Sequence, residues 1–130
     1  MKKLIFIALL LICIQPNVKS QFYYGCNVKD IYNELSRNPN NLNVEIYQGD
    51  DGTMVIKATS RSFITTYLFN KANICYGYVA ATLLKHKDAV YDILNTLYIR
   101  TDTNEWEDSN IYVSTMEADG VLYIFEFWKQ

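Results

Sequence analysis

From Phe63 to Val79 the chain reads FITTYLFNKANICYGYV, two apolar runs split by Asn70-Lys71-Ala72-Asn73. Successive side chains of a strand point to opposite faces, so the pattern specifies two strands and a reversal between them. Asn tolerates positive φ and hydrogen-bonds its own backbone, which suits this segment to the turn. With an even loop, Phe63, Thr65, Tyr67 and Phe69 share a face with Ile74, Tyr76 and Tyr78. Ile64, Thr66, Leu68, Cys75, Gly77 and Val79 occupy the other. The bulky aromatic face is expected to be interior, and the hairpin to be the centre of the fold.

Other elements fall around it. Asn27 suits an N-cap, and Asp30 stands near the positive end of the helix that follows. Val28, Ile31, Tyr32 and Leu35 make one helical face, which Asn38-Pro39-Asn40-Asn41 ends. Asn43 to Gln48 and Thr53 to Thr59 form a hairpin about Asp51-Gly52, where Asp50 and Asp51 are turn residues rather than cation ligands. Val79 to Leu84 fits either a continuing strand or a helix start. A helix is expected from about Asp88 to Tyr98, on the stripe Ala89, Val90, Ile93, Leu94 and Leu97.

Arg100 to Asn110 is polar and acidic and reads as a loop presenting Trp106. Ile111 to Glu117 and Val121 to Trp128 pair through Asp119-Gly120. Tyr112, Met116, Tyr123, Phe125 and Phe127 are the expected core side. Ile111, Val113, Glu117, Leu122, Ile124, Glu126 and Trp128 are the expected partly solvated side. The class is α+β: a single antiparallel sheet of about six strands, two helices on one face, in the order αββββαββ.

The first twenty residues have the pattern of a secretory signal peptide. Lys2 and Lys3 precede the apolar run Leu4 to Ile14, and Val18-Lys19-Ser20 fits a cut before Gln21. The run is shorter than the ~20 residues a spanning helix needs. An uncleaved anchor and a lipid attachment at Cys13 are the alternatives; Leu11-Ile12 before Cys13 lacks the small residue that lipid attachment favours. Residues 21–130 then form one small domain, carrying nine basic and fourteen acidic residues and all eleven tyrosines. This composition folds. A net charge of −5 with no basic run disfavours nucleic acid and anionic membrane surfaces as partners.

Cys26 and Cys75 remain after cleavage, and an oxidising compartment permits a disulfide between them. It would tie the N-terminal segment to the central hairpin and contribute ~4 kcal/mol by loop closure.

Catalytic patterns are few. His86 is the one histidine; a pairing with Cys75, oriented by Asp88 or Asp92, competes with an ordinary solvated Lys-His-Lys segment and a packing thiol. Gly-x-Ser-x-Gly and phosphate-binding glycine loops are absent. One His and two separated Cys make no zinc pattern. Asp102 and Asn104 begin an EF-hand-like spacing that Trp106 and Glu107 break. No cofactor is expected.

Recognition is better supported. Trp106 and Trp128, with the acids Asp102, Glu105, Glu107 and Asp108, are candidate interface residues, although both tryptophans could instead cover the core rim. The expectation is a secreted or periplasmic non-enzymatic domain that binds another protein, of inhibitor or immunity type. The alternative is a carrier of a small apolar or aromatic ligand between sheet and helix.

Overall fold

The computed structural model describes residues 23–129; the proposed signal peptide lies outside them. In chain order the elements are α1 (Val28–Arg37), β1 (Asn43–Gln48), β2 (Met54–Thr59), β3 (Ile64–Phe69) and β4 (Cys75–Leu83). A 3-10 turn (Leu84–His86) leads to α2 (Lys87–Leu97), β5 (Ile99–Asp102), β6 (Glu105–Glu107), β7 (Ile111–Ala118) and β8 (Val121–Trp128).

The strands form one antiparallel sheet in the order β1-β2-β3-β4-β8-β7-β6-β5. It consists of two four-stranded meanders joined where β4 pairs with β8, from Gly77 opposite Phe127 to Leu83 opposite Val121. The sheet therefore has eight strands rather than about six, and the order is αββββαββββ rather than αββββαββ. The two additional strands come from the segment expected as a loop. The chain leaves β4 in the middle of the sheet and must reach the far edge before it can return. α2 carries it there, and Glu105 to Glu107 then pairs with the rim of β7.

The cap of α1 and the turn signals hold, whereas Asp88, which suits a cap by sequence, lies in the first turn of α2 behind His86, which makes no side-chain cap bond. The Asn27 side chain accepts the Asp30 N–H at 2.9 Å, and Ile31 and Leu35 are buried. Asn73 adopts φ 64° in the central turn, and Asp119 and Gly120 take φ 52° and 79°. Val79 to Leu83 continues as strand.

The faces differ from the expected ones in two ways. Leu68 lies opposite Gly77 but Phe69 lies opposite Cys75, so Tyr76 is an extra residue in a bulge. Cys75 joins Phe69, Tyr67 and Tyr78 on the interior face, and Tyr76 turns to the other. In the last hairpin the assignment is reversed. Tyr78 lies opposite Glu126 and Ala80 opposite Ile124, which puts the even-numbered residues of β8 on the helix side. Ile111, Val113, Leu122, Ile124 and Glu126 are buried, whereas Tyr112 and Met116 are 54% and 50% exposed. Periodicity separates the two sets; the register between meanders decides which one the helices cover.

The core joins Ile31 and Leu35 of α1 and Val90 and Leu94 of α2 to Ile56, Phe69, Ile111, Val113, Leu122 and Ile124 of the sheet. Each such side chain contributes ~1.5–3 kcal/mol on burial.

Candidate functional site: the helix-free face of the sheet

Both helices lie on one side. The Tyr91 ring of α2 meets Trp106 edge-on at 4.9 Å and its hydroxyl hydrogen-bonds Thr115, while Tyr23 and Tyr24, just before α1, reach Tyr67 and Glu126 on the same side. The opposite side of the sheet carries no element of residues 23–129. By register it displays Val55, Ile64, Leu68 and Val79, then Tyr123, Phe125 and Phe127 of β8, then Tyr112 and Met116 of β7. Tyr76 stacks on Phe127 at 6.3 Å, and the Lys129 ammonium lies 4.5 Å from the centre of the Tyr112 ring. A contiguous apolar patch of this kind on a small domain marks an interaction surface more often than chance exposure does.

Acidic residues border the patch at one end. Ile99 lies opposite Glu107 and Asp102 opposite Glu105, so these side chains share the helix-free face. Asp102 and Glu105 are exposed; Glu107 is held by Lys129 at 3.0 Å. Asp108 serves a different purpose. Its carboxylate accepts the N–H groups of Asn110 and Ile111 at 2.7 and 2.8 Å, which shapes the turn into β7. The acidic stretch is a β-hairpin and its edge rather than a loop.

Neither tryptophan is on this surface. Trp106, expected to be presented to solvent, is 1% exposed on the helix side, and its indole N–H donates to Asn95 at 2.7 Å. The Arg100 guanidinium stacks 5.2 Å from the Trp106 ring. Trp106 became interior because pairing of β6 with β7 turns it under α2. Trp128 is 38% exposed at the end of β8 and stacks on Tyr24 at 6.1 Å. The aromatic residues that do face outward are Tyr112, Tyr123, Phe125 and Phe127, whose bulk by sequence alone points to the core; the acids flanking Trp106 are the sequence signal closest to this surface.

The tyrosine-rich interior face is organised around Glu126. Tyr24 and Tyr98 donate to its two carboxylate oxygens at 2.7 and 2.8 Å, and Tyr78 donates as well. Burial raises the Glu126 pKa above its ordinary value. The Tyr24 and Tyr78 hydroxyls are raised likewise, by burial first and then by the nearby carboxylate. Tyr67 packs on Tyr78 at 5.8 Å. Tyr24 lies in the core, and Tyr67, Tyr78 and Tyr98 pack against it.

The Cys26–Cys75 bond is not formed. The Cys75 thiol turns along its own strand to the Gly77 carbonyl, at 3.7 Å, and is buried. Burial pushes it up to about 12; burial and Asp30 raise Cys26. Main-chain bonds do the tying instead: Gly25 N–H donates to Cys75 O at 3.1 Å, and Cys75 N–H to Cys26 O at 3.0 Å. His86 and Cys75 cannot act together, because the nine-residue strand β4 separates them, roughly 25–30 Å at ordinary strand rise. Among the described residues no three His, Cys, Asp or Glu side chains converge as metal ligands, and no helix is long and apolar enough to cross a membrane.

No protein-family model, no curated protein and no solved structure matches this chain.

Proposed function

We propose that the chain is exported to the periplasm or the external medium and, after removal of residues 1–20, acts as a non-enzymatic domain that binds another protein of inhibitor or immunity type. The observation that carries this reading is the helix-free face, with Tyr112, Met116, Tyr123, Phe125 and Phe127 in its middle and Asp102 and Glu105 at its margin. An aromatic centre with a charged rim is the usual anatomy of a recognition surface. The acids favour a partner that presents apolar side chains beside basic ones, and a net charge of −5 for residues 21–130 favours the same sign of encounter.

The test is affinity capture from the exported fraction, using the chain produced with its leader. The expected result is a partner retained by the natural chain and lost with Tyr112→Lys or Met116→Lys. Both positions are half exposed, so these variants keep the fold to within ~0.5 kcal/mol. Failure to retain any partner, or equal retention by the variants, overturns the reading.

A further inference from the structure

The two edges of the sheet, β1 and β5, are not alike. β5 has four residues, includes Arg100 and Asp102, and slips register against β6 between them. Shortness, charge and irregularity are the usual devices that prevent an edge from pairing with another chain. β1 is neither short nor irregular, and its one charge is Glu45. It runs six residues in unbroken register with β2, contains neither Pro nor Lys, and is exposed except at Val44. Ile46 is 40% and Tyr47 46% exposed.

The register with β2 shows which main-chain groups are available. Gly49 N–H donates to Thr53 O at 2.7 Å, and the pairs from Gln48–Met54 to Asn43–Thr59 continue that register. Hydrogen-bonded and non-bonded pairs alternate along an antiparallel ladder. Asn43, Glu45 and Tyr47 therefore direct N–H and C=O towards β2, while Val44, Ile46 and Gln48 direct theirs outward.

We propose that β1 pairs antiparallel with β1 of a second copy, across a twofold axis normal to the sheet and centred on Ile46. Such an axis keeps the helix side of both copies on one side of a continuous sheet, so residues of like parity must face each other. Of the registers that satisfy this condition, those centred on Glu45 and Ile46 overlap over five residues of β1 and the others over three or fewer. The one centred on Glu45 sets two carboxylates opposite each other at a non-bonded pair, the closely spaced kind at ~4.5 Å between Cα atoms. The one centred on Ile46 sets Ile46 against its counterpart and Val44 against Gln48 of the partner subunit. These are the outward-directed residues, so all of their free N–H and C=O groups find partners. On the helix-free side the same register places Glu45 beside Tyr47 of the partner subunit. The dimer would display two helix-free faces on one side, a bivalent surface for whatever binds there.

Sedimentation of the purified chain up to about 100 µM, with two substitution pairs, tests this. A reversible dimer is expected for the natural chain. Tyr47→Glu, which meets Glu45 of the partner subunit, weakens it at least tenfold; Tyr47→Lys leaves it equal or tighter. Under mild oxidation Ile46→Cys forms a covalent dimer, while Val44→Cys, four residues from its own counterpart across the axis, does not. A chain monomeric throughout, Tyr47→Glu and Tyr47→Lys acting alike, cross-linking of Val44→Cys as readily as Ile46→Cys, or occupation of β1 only by a strand of a different protein overturns the proposal.

Discussion

The Tyr24 hydroxyl donates a 2.7 Å hydrogen bond to a carboxylate oxygen of Glu126, joining the segment before α1 to the last strand of the sheet. Tyr98 and Tyr78 complete the set of donors. The carboxylate is buried and lacks a cationic partner among these groups, so the three hydroxyls alone offset its desolvation. Glu126→Ala orphans them and leaves a void. The expected loss is ~3 kcal/mol or more by urea unfolding. Glu126→Gln retains an accepting oxygen and should lose less.

The same residue sets a pH dependence. Its folded pKa is raised above the ordinary 4.5. The folded chain therefore holds a proton that the unfolded chain releases, and stability falls as pH rises from about 4.5 through the folded value. Below that window the contribution of Glu126 is fully present; above it the loss is complete and constant. The melting temperature of the natural chain relative to Glu126→Gln should fall across this range. A difference that is flat, or that rises with pH, would contradict the assignment.

Trp106 supports β5 and β6 from below, through Asn95 and the Tyr91 ring. Trp106→Ala is expected to cost ~3–5 kcal/mol. Asn95→Ala removes the indole's acceptor and should cost about 1–2 kcal/mol. Hydrogen exchange should locate the loosening of both variants in residues 99–107.

Gly77 of β4 sits opposite Phe127 of β8. A Cβ there would meet Phe127 Cδ1 at 2.5 Å and the Glu126 carbonyl oxygen at 2.8 Å. Gly77→Ala should destabilise by about 1–3 kcal/mol. Adding Phe127→Ala should not restore the loss, because the carbonyl remains in place.

The two cysteines should differ in reactivity. Cys75 is buried and pushed up to about 12, whereas Cys26 is partly exposed and raised less completely by burial. Thiolate fraction and access govern alkylation. Native-state labelling at pH 8, read by peptide mass, should modify Cys26 well before Cys75, and both together only on unfolding.

Much of the local structure was legible in the residues. Asn27 and the stripe through Leu35 specify α1, and Asp119-Gly120 specifies the last turn, because caps and turns depend on conformational preferences within a few residues. The strands β5 and β6 were not legible. Ile99 to Asp102 and Glu105 to Glu107 are short and polar, and become strands only because β7 offers them an edge. The candidate surface is legible only in part: Asp102 and Glu105 do border it, but the bulk of its aromatic centre has the sequence pattern of a core.

What the sequence alone determined is the class of the fold, its two helices, its turns and the division of each strand into two sets of side chains. The tertiary structure decided which set is inside. Alternation has a period of two and no sign, so Tyr112, Phe125 and Phe127 could be assigned to either side with equal regularity. The sign comes from the β4–β8 register, the bulge at Tyr76 and the path of α2 across the sheet. These depend on residues far apart in the chain, and they turn Glu126 inward and the aromatic residues of the last hairpin outward.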